Sequence, residues 1–143
     1  MSPGQGFVAF LLVTLALLAA VVVTGYREQR AAHLALVVLA LGSLGITIWY
    51  AEQMGEHFDL ESAGAITTVH LFLAKATTLA YLLPIASGVA TIRNPEWKTL
   101  HRRLAFLVLA LTVLTAVTGT WMLAAAERVA AAAPIPAEES AKR

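Results

Sequence analysis

"EWKTLHRRLAFLVLALTVLTAVTGTWML", residues 96–123, passes from a cluster of cations into an apolar run that stays free of charge until Glu127. A helix needs about 20 apolar residues to cross the hydrocarbon core of a bilayer. Working outward, three more runs of that kind occupy 7–24, 33–51 and 63–92. Backbone polar groups in lipid must be satisfied within the segment, so these runs read as helices rather than open strands. Of 143 residues, 59% are hydrophobic and 13% charged, whereas a soluble domain carries about a quarter charged residues. The expectation is an all-α, integral membrane four-helix up-down bundle. It forms one domain, 1–126, with helices at about 7–25, 31–51, 63–92 and 99–126. The Ala/Pro/Glu-rich tail 127–143 reads as polar and disordered. The first span has the look of a secretory signal. However, "MSPGQG" before it lacks Lys and Arg, and the run is long, so it reads as a retained helix.

Charge sets an expected orientation. The first loop carries Arg27 and Arg30; the third carries Arg93, Lys98, Arg102 and Arg103. The second holds Glu52, Glu56, Asp59 and Glu61 and no Lys or Arg. The positive-inside rule then places loops one and three in the cytoplasm and both termini outside, in a bacterial inner membrane.

This orientation puts His33 and His101 at matching starts of the second and fourth helices, at one leaflet. Counting 100° per residue, the His101 stripe reads Ala105, Val108, Thr112, Thr115, Gly119. The His70 stripe reads Ala74, Thr77, Tyr81, Pro84, Gly88, and the His33 stripe Val37, Ala40, Leu44, Thr47. Such small faces either let helices approach closely or leave room for a flat cofactor in the bundle. Gly88 follows His70 by eighteen residues and Gly119 follows His101 by eighteen, a weak internal echo. Two neutral imidazoles in a membrane bundle suit haem b, bound at both axial positions for electron transfer. Arg30, Arg102 and Arg103 are candidate partners for its propionates. For each arginine taken singly, a topology signal or headgroup contact is the plainer reading.

His70 lies toward the opposite leaflet, with His57 in the acidic loop. With Glu56 or Asp59 they could form a second, metal-binding site; a hydrogen-bonded interfacial histidine is the plainer reading. Lys75 falls well inside the third run, where a charge is expensive. It could snorkel toward Glu61 or Asp59, meet a propionate or a quinone oxygen, or bridge to a partner subunit. Pro84 should kink the same helix. Trp49, Trp97 and Trp121 sit near span ends as interface anchors.

Without cysteine, disulfides and thiolate chemistry are excluded. No nucleophile–base set, phosphate loop or carboxylate pair falls within the runs, so an enzyme is not expected, and nothing marks a nucleic-acid surface. The order of His33, "VHLFLAKATTLAYLLPIASG" and "LHRRLAFLVLALTVLTAVTGTWML" resembles the small YozB/CtaM-like family of bacterial membrane proteins over about 20–125. The likeness rests on His33, on His70 with its following Leu–Ala, on Pro84, on His101 with Arg102 and Arg103, and on Val117 to Leu123. Lys75 falls outside that pattern. The resemblance implies a haem-linked respiratory component, distantly similar to transmembrane cytochromes b. It admits an electron carrier, an assembly factor for a haem–copper oxidase, or a structural subunit of a larger membrane complex.

Overall fold

The computed structural model describes residues 1–129; the rest of the tail lies outside the described residues. Helix α1 spans Pro3–Tyr26 and α2 Arg30–Gly55. A short 3₁₀ turn over Leu60–Ala63 leads into α3, Ala65–Ala80, and α4, Leu82–Arg93. A second such turn, Pro95–Trp97, opens α5, Lys98–Ala125. With α3 and α4 taken as one span, four helices among the described residues are long and apolar enough to cross a membrane.

Helix α1 begins earlier than the apolar run. Ser2 Oγ accepts from Gln5 N at 3.3 Å, Gln5 Oε1 accepts from Ser2 N at 3.1 Å, and Pro3 takes the first helical position. This reciprocal cap satisfies two amides that the helix cannot. The expected third helix is interrupted at Tyr81, three residues before Pro84. Proline lacks the N–H that would bond Ala80 O, and its ring crowds that carbonyl. The first two tail residues, Glu127 and Arg128, are ordered: they pair antiparallel with Asp59 and Phe58.

The helices pack as two antiparallel hairpins. In the first, contacts run Gly6 to Tyr50, Thr14 to Ser43 and Thr47, and Gly25 to His33. In the second, they run His70 to Gly119, Thr77 to Thr115, Tyr81 to Thr112, and Gly88 to His101. Hydroxyls form both seams. Thr112, Thr115 and Thr118 each donate to a carbonyl one turn back in α5. Each is therefore left as an acceptor across the seam, so Tyr81 donates to Thr112 at 2.8 Å and Thr77 to Thr115 at 2.9 Å. In the other hairpin Thr47 donates to Ser43 O. Thr14 then donates to Thr47 at 3.1 Å and accepts from Ser43 at 2.7 Å.

The interior is of the kind expected for helices apolar enough to cross a membrane. Lipid is as apolar as leucine, so helices associate through small residues and interhelical hydrogen bonds. Among the described residues the buried hydrophobics are Ala40, Val108 and Met122, while eight buried positions are Thr or Ser. Large side chains such as Val38, Phe72 and Leu79 point outward, each more than half exposed. A surface of that kind suits lipid and not water.

Candidate functional site

His33 enters on the first turn of α2 and His101 on the first turn of α5, one from each hairpin. Their ring centres are 6.3 Å apart and their planes nearly perpendicular, at 85°. Both line a cavity of about 450 Å³ between the hairpins, within the range of small-molecule sites. Its walls are mainly apolar, including Val21, Leu34, Val37, Ile85 and Val89. Its rim is charged, with Glu28, Arg30, Lys98 and Arg102.

Each imidazole is oriented by the backbone. His33 Nδ1 lies 3.0 Å from Val21 O, and His101 Nδ1 lies 3.1 Å from Pro84 O. A carbonyl only accepts, so Nδ1 carries the proton and Nε2 keeps its lone pair. This is the tautomer that a metal-bound histidine adopts when its other nitrogen is fixed by an outer hydrogen bond. Ser87 Oγ adds a contact to His101 Nδ1 at 3.2 Å and donates its own proton to Leu83 O at 2.8 Å. The proline interruption thus brings the start of α4 against the ligand candidate on α5.

Glycines seat the rings. A Cβ at Gly25 would lie 3.3 Å from His33 Cε1, and one at Gly88 3.2 Å from His101 Cε1. At the other end, a Cβ at Gly119 would come within 2.7 Å of His70 Cε1. The eighteen-residue echo is therefore reciprocal packing: each histidine of the α3–α4/α5 hairpin rests on the glycine that follows the other. The α1/α2 hairpin has the same layout, except that Tyr50 occupies the Gly6 seat, where a Cβ would fall 2.3 Å from the ring. One end of the molecule therefore has two ring-seated histidines, and the other has one histidine and one tyrosine.

No family model, curated protein or solved structure matches this chain.

The remaining expected site residues are not gathered in one place. Arg30 and Arg102 line the cavity; Arg102 also lies over the Tyr26 ring, 5.1 Å from its centre. Arg103 is exposed and is not among the lining residues. His70 Nδ1 lies 3.2 Å from Thr118 Oγ1, whose proton goes to Leu114 O, so His70 donates. His57 is exposed and directs Nδ1 to Gln53 O at 2.9 Å. Among the described residues no group of three or more His, Cys, Asp or Glu is gathered for a metal ion, so His57, His70, Glu56 and Asp59 do not form one. Lys75 is exposed on α3 beside Phe72 and Leu79, lines no part of the cavity, and has no ion-pair partner among the described residues.

Glu28 and Lys98 also line the cavity, beyond the site residues expected from the sequence. They form an ion pair across the rim. The Glu28 carboxyl is held below its usual range by its hydrogen bond to Lys98, then by the Lys98 charge. Opposite charges in facing loops were the available signal, but only the hairpin geometry pairs these two.

The residues fit a metal held between two imidazoles. Both line one cavity, and each keeps an Nε2 lone pair while Nδ1 is held by a carbonyl, which is the donor set of a two-histidine site. The apolar walls suit a flat macrocycle, and the cationic rim suits carboxylates at its edge.

Proposed function

We propose that this chain is a multi-pass bacterial inner-membrane protein that holds haem b between His33 and His101 and carries electrons. In this reading it is an up-down four-helix bundle, with both termini outside and the cavity at the cytoplasmic end. The observation that carries it is the His33–His101 pair, two rings from different hairpins, 6.3 Å apart in one cavity. Bound there, the group would supply a one-electron couple with no open coordination position. The chain's own part is to present two Nε2 lone pairs, to surround the macrocycle with apolar walls, and to offer Arg30 and Arg102 to its carboxylates. Quinone is a fitting redox partner for a carrier in this setting.

Purified protein from haem-replete cells should show a reduced-minus-oxidised spectrum with Soret and alpha bands. His33→Ala or His101→Ala should abolish it. A colourless wild-type preparation sinks the reading.

A second reading is a haem carrier or assembly factor serving a haem–copper oxidase, in line with the YozB/CtaM-like resemblance. The exposed rim favours it, with the Glu28 and Lys98 side chains 70% and 48% exposed. Rapid transfer of haem to apomyoglobin would support this role, and retention over hours would support the electron carrier.

A further inference from the structure

Glu28 and Lys98 stand on opposite hairpins and close the charged rim of the cavity with the one ion pair among the described residues. Glu28 is also the one described non-glycine residue with positive φ, at 57°. That left-handed conformation is uncommon for a residue with a Cβ, and such strain persists only where surroundings impose it. Here the turn is held by Gln29 N to Thr24 O at 3.0 Å and Arg30 N to Glu28 O at 2.9 Å. It aims an acidic side chain across the rim, where Arg30, Lys98 and Arg102 supply the positive charge.

This distribution has a consequence for what can bind. The cavity is apolar along its walls and cationic at one end, the complement of a large apolar body with carboxylates on one edge. Arg102 lies over the Tyr26 ring, whereas Lys98 is engaged by Glu28. Arg30 and Arg102 stay available to one carboxylate of the ligand, and a carboxylate that reaches Lys98 competes with Glu28 for the same ammonium. Glu28, on an exposed turn, can swing into water at little cost, because a surface ion pair is weak.

We infer that Lys98 is the clamp for a carboxylate of the bound ligand and that Glu28 is the counter-ion it exchanges on loading. The inference rests on the cavity being a tetrapyrrole site. It makes Lys98 and Glu28 determinants of affinity for the acid form of the ligand, and indifferent to a neutral form of the same shape.

Metal-free protoporphyrin and its dimethyl ester test this in the full chain in detergent, read by tryptophan quenching. Iron is absent, so histidine ligation does not enter. Lys98→Ala should weaken binding of the diacid about fivefold, and Glu28→Gln should strengthen it about twofold. The ester should bind wild type and both variants alike. Equal changes for both porphyrins, or no change for the diacid, overturn the clamp. If wild type binds neither porphyrin, clamp and tetrapyrrole site fall together. If iron porphyrin binds as tightly to His33→Ala as to wild type, the axial-ligand reading falls, and the Lys98 comparison still stands or fails on its own.

Discussion

His101 rests its ring on Gly88, so close that a Cβ there would lie 3.2 Å from Cε1. The same ring is held through Nδ1 by Pro84 O, four residues before that glycine. A carbonyl and a glycine one turn apart thus fix both the tautomer and the position of one candidate ligand.

Gly88→Leu should push the imidazole out of place and lower iron-porphyrin affinity about tenfold or more, as expected when an outer support of a ligand is lost. Gly42→Leu is the matched control, because a Cβ at Gly42 meets nothing within 4 Å. Equal loss in both variants would show that helix glycines matter only generally.

Thr14 is 1% exposed and bonded to two hydroxyls of α2. Thr14→Val keeps the shape and removes both bonds. Membrane interhelical hydrogen bonds contribute about 0.6 kcal/mol each, so stability to SDS unfolding should fall by about 1 kcal/mol. Thr120→Val, whose hydroxyl bonds only Ala116 O of its own helix, should change stability by less.

The Glu28–Lys98 tie should depend on pH. Glu28 has its pKa lowered in the folded protein by the Lys98 hydrogen bond and charge. A lowered carboxyl pKa contributes stability that is present above the unfolded value and lost as pH falls through the folded one. Thermal unfolding in detergent should therefore show a small loss below the ordinary glutamate range that Glu28→Gln lacks. An identical profile in the variant would remove Glu28 from the account.

Lys75 lies outside the cavity. Lys75→Leu should leave the absorption spectrum unchanged and improve insertion of the third span, since a central lysine costs about 2.5–3.5 kcal/mol on insertion scales. A shifted spectrum would place its ammonium at the cofactor.

The chain has no cysteine, so orientation can be read from single introduced thiols. Gln29→Cys should be blocked only by reagents that reach the cytoplasm, and Glu61→Cys by impermeant reagents added outside. The opposite pattern would invert the expected topology.

Much of the architecture was legible in the chain because lipid imposes simple rules. Four apolar runs gave four membrane-length helices, and Pro84 announced the break at Tyr81. The His33, His70 and His101 stripes anticipated the buried Ala40, Thr47, Thr77, Val108, Thr112 and Gly119. The cap at Ser2 was also legible, in the spacing of Ser2 and Gln5, but apolar length alone starts the helix too late. Arg103 shows the limit of such counting. Adjacent residues on a helix point about 100° apart, and of the pair Arg102 and Arg103 only the first lines the cavity.

The sequence alone determined four helices long and apolar enough to cross a membrane and the small-residue faces that turn inward, because hydropathy and helical period are local properties. Tertiary structure alone decided that His33 meets His101, that Glu28 reaches Lys98, and that glycines of one helix seat the histidines of another. Those relationships depend on the register and spacing of two hairpins, which small-residue contacts and hydroxyl bonds set between segments far apart in the chain.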